Sequence, residues 1–178
     1  MSSAFGMRVV AWSQNLTQEA ADEKAAEMGL STELPDGTKR FKVASKDEAF
    51  SSADVLSVHL VLSDRSRGIV STADLQKMKD TAFLVNTSRS PLVDEAALLK
   101  VLKEGKIGGA AIDVFDLEPL PKDSEWRTTE WGVEGRSRVV LTPHMGYVEG
   151  EKLREWYQQQ VENLERWARG EELLSRFV

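Results

Sequence analysis

Three side chains in this sequence have the types and the placement to do chemistry on an acid. They are Arg89 in AFLVNTSRSPLVDE (82–95), Glu118 in IGGAAIDVFDLEPLP (107–121) and His144 in VVLTPHMG (139–146), each just past an apolar, strand-like run. Arginine presents a rigid fork of donors that matches a carboxylate in two parallel hydrogen bonds. Histidine gives or takes a proton near neutral pH, and a neighbouring carboxylate favours its charged form. Together the three suit reduction of a carbonyl beside a carboxylate: Arg89 holds the acid, His144 protonates the carbonyl oxygen, and Glu118 orients and charges the imidazole. Taken singly, the ordinary readings are a solvated arginine, a turn glutamate beside Pro119 and a structural histidine. Their shared place at strand ends is what argues for chemistry, because open α/β sheets bind ligands along that edge.

The elements that must position them alternate along the chain. MRVVAW (7–12) reads as a strand, with Gly6 before it as a helix cap, and Thr17 caps a helix running to about Met28. LSTELPDGTKR is a loop with a Pro-Asp-Gly turn, RFKVA a short strand, and Ser45 with Glu48 a capping-box pattern. DVLSVHLVL (54–62) reads as a buried strand, and Ser71 with Asp74 marks another helix start. Strand 82–86 follows. Helix 94–104 carries Asp94 and Glu95 at its positive end and Lys100 and Lys103 near its negative end, and Gly105 stops it. After strand IGGAAIDVF the text is irregular from 116 to 137; RVVLTP is a last strand, and residues 149–169 form a long helix ended by Gly170. Strand–helix alternation predicts a parallel sheet covered on both faces, doubly wound through right-handed crossovers.

Composition narrows the function. The 178 residues allow one sizeable core, and 41% hydrophobic with 29% charged residues is the balance of an ordinary folded domain. A net charge of −6 and no basic run argue against nucleic acid or an anionic membrane, and leave a small molecule or another protein as partner. No cysteine and only His59 and His144 exclude a disulfide framework, a thiolate nucleophile, Cys-ligated zinc and a His-rich metal site. The N-terminus lacks a signal-peptide pattern, so the expected location is cytoplasmic.

The blocks LVNTSRSPLVDEAALLKVLKEGKIGGAAIDVFDLEPLP and VVLTPHMG resemble the signature blocks of the D-isomer-specific 2-hydroxyacid dehydrogenases, in the family's order, and the likeness covers roughly residues 4–170. The resemblance implies a Rossmann-like doubly wound fold and hydride transfer between NAD or NADP and C2 of a small 2-hydroxy or 2-oxo acid. It assigns Arg89 to the substrate carboxylate, Glu118 to the histidine's partner and His144 to the acid/base. Asp113 corresponds to the aspartate that holds the nicotinamide amide, and Thr87, Ser88, Arg89, His144 and Gly146 lie beside the cofactor. Ser13, Leu60 and Val61 match positions lining the same cofactor. That residue 118 is a carboxylate points to a hydroxyacid or oxoacid enzyme, since formate dehydrogenases of similar design carry Gln there. A homodimer is the expected assembly.

The departures matter equally. The family's G-x-G-x-x-G turn should lie upstream of Ala4; GKIGG (105–109) sits between a helix and a strand instead, which is the wrong order. The reading is therefore of a fold lacking the first strand and Gly-rich loop: an incomplete dinucleotide-binding domain over 1–148, and a helix and tail over 149–178 that in the family return to the substrate domain. MRVVAW and DVLSVHL, the neighbours of the missing strand, then either pair directly or stay apart, and weak or no dinucleotide binding is expected. Leu153, Trp156, Leu164 and Trp167 form an apolar stripe that is bare, buried in a dimer or ordinary core. Ser13 stands where relatives carry an acid for the ribose, so NAD versus NADP stays open; Ser90 replaces a glycine, Tyr147 a small residue and Val61 a proline, and His59 reads as structural. The alternative function is a truncated, non-catalytic relative acting as an oligomerisation or protein-binding module.

Overall fold

Strands and helices alternate as the sequence predicts through residues 5–174, the part of the chain that the computed structural model describes. Contacts divide the chain into two units, one ending at Pro143 and one beginning at His144.

The first unit holds β1 (Val9–Ala11), α1 (Gln18–Glu27), β2 (Phe41–Val43), α2 (Lys46–Ser52), β3 (Val55–Val58), α3 (Thr72–Leu75), β4 (Phe83–Asn86), α4 (Glu95–Lys103), β5 (Gly109–Ile112), α5 (Glu125–Thr128) and β6 (Arg138–Leu141). Every strand pair is parallel. The strands form two sheets, β1-β2 and β3-β4-β5-β6, with no ladder between β1 and β3. Of the two arrangements open to MRVVAW and DVLSVHL, the chain thus adopts separation.

The four-stranded sheet is in step at its carboxyl ends, where Val58, Asn86, Ile112 and Leu141 stand opposite one another. Its core is built from Leu84, Ala110 and Ile112 of the strands and from the buried face of α4, Ala97, Leu98, Leu99, Val101 and Leu102. Asp94 caps α4 by accepting from the Ala97 N–H. Gly109 is a packing requirement: a Cβ there would lie 2.4 Å from the Arg138 carbonyl and 2.7 Å from the Phe83 ring. The Arg138 guanidinium stacks over that same ring at 5.2 Å. The irregular stretch 116–137 contains the single-turn α5 and is anchored by buried Trp126, whose ring meets Phe115 edge-on at 6.1 Å and Trp131 at 6.0 Å.

Helix α2 connects the two sheets, and Lys46 at its start is the strut. Its ammonium donates to the Ile69 carbonyl and to the Asp74 carboxylate, and lies over the rings of Trp12 and Phe50. Asp74 also accepts from the Ser71 N–H and hydroxyl in a full capping box. Burial pushes the Asp74 carboxyl up, but the Lys46 and Ser71 hydrogen bonds outweigh it and hold the group below the usual carboxylate range. At α2 itself only half of the box forms: Ser45 accepts from the Glu48 N–H, while Glu48 turns to Lys42.

Strand β3 is shorter than the apolar run predicts, and Val55 is 54% exposed rather than buried. The chain leaves the ladder after Val58 because the loop beyond satisfies its own backbone. The buried Ser66 hydroxyl donates to the Val61 carbonyl and accepts from the Ser63 N–H.

In the second unit α6 (Gly150–Arg169) runs as the sequence predicts and ends at Gly170 with φ +70°. Beyond it the chain folds back: the Leu174 N–H donates to Asn163 Oδ1 at 2.8 Å, and Arg166 donates to the Glu172 carbonyl at 3.0 Å. None of its residues is buried, and Trp156, Leu164 and Trp167 are 43%, 66% and 73% exposed. Helical period reports a stripe but not what faces it. No helix among the described residues is long and apolar enough to cross a membrane.

Candidate active site

The polar groups gather where β3, β4, β5 and β6 end, and each strand end is tied sideways to its neighbour. At the end of β4 the buried Asn86 folds the chain into a turn. Its Oδ1 accepts from the Ser88 N–H at 3.1 Å and its Nδ2 donates to the Arg89 carbonyl at 3.2 Å. Thr87 is exposed and Ser88 half-buried, and the Ser88 hydroxyl donates to the Leu60 carbonyl at 3.0 Å. That bond binds the β4 loop to the β3 loop. Val61 projects beside it, 84% exposed.

Arg89 has a main chain held by Asn86 and a side chain in the open. Its Nη1 donates to the Ser88 carbonyl at 2.7 Å, and the rest of the fork faces solvent, available to a carboxylate. Ser90 is buried, and its hydroxyl donates to Glu95 Oε2, the oxygen that also accepts from the Asp116 N–H; both distances are 3.1 Å. Glu95 thus joins the loop bearing Arg89 to the loop bearing Glu118.

Asp113, one residue past β5, is 2% exposed, and its N–H donates to the Asn86 carbonyl at 3.0 Å. Its carboxylate accepts from the Thr142 hydroxyl. Glu118 is exposed, and its Oε1 accepts from the Phe115 N–H at 2.9 Å, which fixes the carboxylate against its own turn. Ser13 is half-buried after β1, with its carbonyl accepting from the Leu16 N–H at 3.4 Å. His59 is exposed with Nε2 2.8 Å from the Ser57 hydroxyl.

His144 and Gly146 open the second unit. His144 has φ +52°, a left-handed conformation uncommon outside glycine, and its ring meets Tyr147 edge-on at 6.1 Å. Gly146 is exposed.

The first unit therefore assembles Leu60, Val61, Thr87, Ser88, Arg89, Asp113 and Glu118 on consecutive strand ends of one sheet, while Ser13 belongs to the other sheet. This donor set fits the nicotinamide end of a dinucleotide: a buried carboxylate to accept from an amide, hydroxyls beside it, and an exposed guanidinium for an acid substrate. No strand-to-helix connection among the described residues carries G-x-G-x-x-G, so the fit does not extend to a glycine-cradled pyrophosphate. Among the described residues no cluster of His, Cys, Asp and Glu could hold a metal ion.

Sequence reasoning missed Asn86, Ser66, Thr142 and the bridging role of Glu95. For Asn86 and Thr142 the available signal is position, a hydrogen-bonding side chain at the last residue of a strand or immediately beyond it; Ser66 and Glu95 carry no such signal.

Comparison with known proteins is concordant. Residues 1–146 match the family model described as "D-isomer specific 2-hydroxyacid dehydrogenase, NAD binding domain". The glyoxylate reductase of Aeropyrum pernix is 34% identical over 170 residues, covering 96% of this chain and 44% of that one. The crystal structure of a phosphoglycerate oxidoreductase from Vibrio cholerae superposes with a TM-score of 0.72 at 34% identity, over 94% of this chain and 47% of that one. A D-isomer specific 2-hydroxyacid dehydrogenase from Xanthobacter autotrophicus, solved with NADPH and MES, gives a TM-score of 0.60 at 26% identity, covering 97% of this chain and 71% of that one. The chain spans less than half the length of the curated relative above.

Proposed function

Because this chain belongs to the D-isomer specific 2-hydroxyacid dehydrogenase family, we propose that it carries the nicotinamide side of an NAD(P)-dependent oxidoreductase acting on a small 2-hydroxy or 2-oxo acid. The observation that carries the reading is the row of side chains on adjacent strand ends: an exposed guanidinium, two hydroxyls and a buried carboxylate, cross-linked by Ser88–Leu60 and by Glu95. Asp113 would hold the nicotinamide amide, with Leu60, Val61, Thr87, Ser88 and Gly146 alongside and Ser13 toward the ribose. The cofactor, NAD or NADP, supplies or accepts the hydride. Arg89 binds the substrate carboxylate through its fork, which sets C2 in place. In the direction of reduction, the His144 imidazolium gives its proton to the carbonyl oxygen as C2 gains hydride; in oxidation the neutral ring takes the proton back. Glu118 serves as the carboxylate partner that favours the imidazolium.

The test is titration of the purified, cooperatively folding chain with NADH and NADPH, followed by turnover of 2-oxo acids. Weak binding is the expected result, since no glycine cradle for the pyrophosphate lies among the described residues, and any turnover falls at least a hundredfold in Arg89→Ala and in His144→Gln. A folded chain that binds neither cofactor overturns it.

One observation favours a second reading. The exposed Trp156, Leu164 and Trp167 of α6 suit a non-catalytic oligomerisation or protein-binding module, and a homodimer is one form of it. Light scattering across a hundredfold range of concentration, with Trp156→Ser/Trp167→Ser as control, separates a dimer from a monomer.

A further inference from the structure

We infer that Thr142 is a positioning residue for the cofactor amide, acting through Asp113. The inference rests on the reading of Asp113 proposed above. Thr142 is joined to the strand that carries Asp113 twice: its N–H donates to the Ile112 carbonyl at 3.0 Å, and its hydroxyl donates to Asp113 Oδ1. The first bond extends the β5–β6 ladder by one residue; the second is a side-chain contact that a ladder does not need.

Asp113 is 2% exposed, and an ionised carboxylate so deep in protein is costly unless donors surround it. A hydroxyl facing a carboxylate acts as the donor and favours the ionised form. That form is the one able to accept from an amide NH2; a protonated acid would present a hydrogen instead. Engaging Oδ1 also restrains rotation of the carboxylate. Thr142 therefore favours the charged form of Asp113 and restrains its aim. Its effect is local to the nicotinamide amide and does not reach the adenosine ribose or the phosphates.

The locality supplies the test. Thr142→Val keeps the shape of the side chain and removes the donor; Thr142→Ser keeps the donor. Dissociation constants are measured by calorimetric titration of the full 178-residue chain and both variants with NADH and with ADP-ribose, which lacks the nicotinamide. NADPH with 2′-phospho-ADP-ribose is the parallel pair. The expected result is that Thr142→Val weakens NADH about tenfold, leaves ADP-ribose unchanged, and that Thr142→Ser restores NADH binding. Equal weakening of both ligands by Thr142→Val would make Thr142 a merely structural residue and overturn the inference, as would no weakening of either. If Thr142→Val fails to unfold cooperatively, Thr142→Ala, which also removes the donor, takes its place: NADH weakened about tenfold with ADP-ribose unchanged supports the inference, and equal weakening of both ligands or of neither overturns it. An unmodified chain that binds neither ligand overturns the functional reading itself, and the inference falls with it.

Discussion

The β1-β2 half and the β3–β6 half of the first unit are made of the same strand–helix units, yet only one of them is buried. In the four-stranded half Val58, Leu84, Ala110 and Ile112 are at most 4% exposed, and α4 turns five residues inward. Among the described residues before β3, only Ala25 and Phe50 are buried hydrophobics. A two-stranded sheet has too little apolar face to hold itself, whereas four strands with a packed helix have enough. Secondary structure of one kind thus rests on two different supports: apolar burial in one half, and a few specific polar contacts in the other. Arg89, Asp113 and Glu118 of the proposed chemistry sit on the half held by burial.

The largest expected effect comes from removing that burial. Leu84 is fully buried in β4, so Leu84→Ala leaves a cavity and should cost about 2–5 kcal/mol. Val9→Ala in half-buried β1 should cost under roughly 1 kcal/mol, since little area is lost and the site can collapse. Urea unfolding followed by tryptophan fluorescence compares the two. Equal costs would mean that the halves are supported alike and would break the contrast.

Next is the strut. Lys46→Met leaves Asp74 with its Ser71 donors but without its cation, and an isolated buried carboxylate is strongly disfavoured. Both side chains retain some access to water, 26% and 6%, so the cost should be about 2 kcal/mol, below that of a fully buried pair. The same pair sets a pH dependence. The folded Asp74 carboxyl titrates below its unfolded value, so its stabilisation is present above about pH 4 and is lost as pH falls through the folded pKa. Lys46→Met should flatten that acid loss. Hydrogen exchange should quicken in β1 and β2 while β4 and β5 stay protected; uniform quickening would show one cooperative body and no strut.

Much of this was legible in the sequence, and the exceptions share a cause. Strand and helix order, the caps at Thr17, Asp94 and Ser71, and the Gly170 stop follow from local chemistry, and the chain adopts all of them. Arg89, Glu118 and His144 stand out by residue type beyond apolar runs. Asn86 and Thr142 do not stand out, because a hydrogen-bonding residue near a strand end looks like any other until its partner is known, and Ser66 reads as one more serine of a loop. Those partners lie up to 29 residues away, as for Thr142 and Asp113. The length of β3 failed similarly: its apolar tail is claimed by a loop closed through Ser66, which outcompetes the ladder. Whether β1 and β3 would pair depends on tertiary geometry that no local pattern encodes.

The smallest expected effect sharpens the contrast most finely. Edge strand β2 leaves backbone groups unpaired on its outer side, and one side chain from α1 meets two of them. Gln18 Nε2 donates to the Phe41 carbonyl at 2.8 Å, and Gln18 Oε1 accepts from the Val43 N–H at 2.9 Å. The amide does for β2 what a further strand would do. Gln18→Leu keeps the apolar stem and helix propensity while deleting both bonds, and water can reach the freed groups in part, so the cost should be about 1 kcal/mol. Hydrogen exchange at Val43 should rise at least tenfold, and exchange in β5 should not change. Unchanged exchange at Val43 would mean that α1 shields β2 by packing alone, and the polar support assigned to this half would reduce to Lys46.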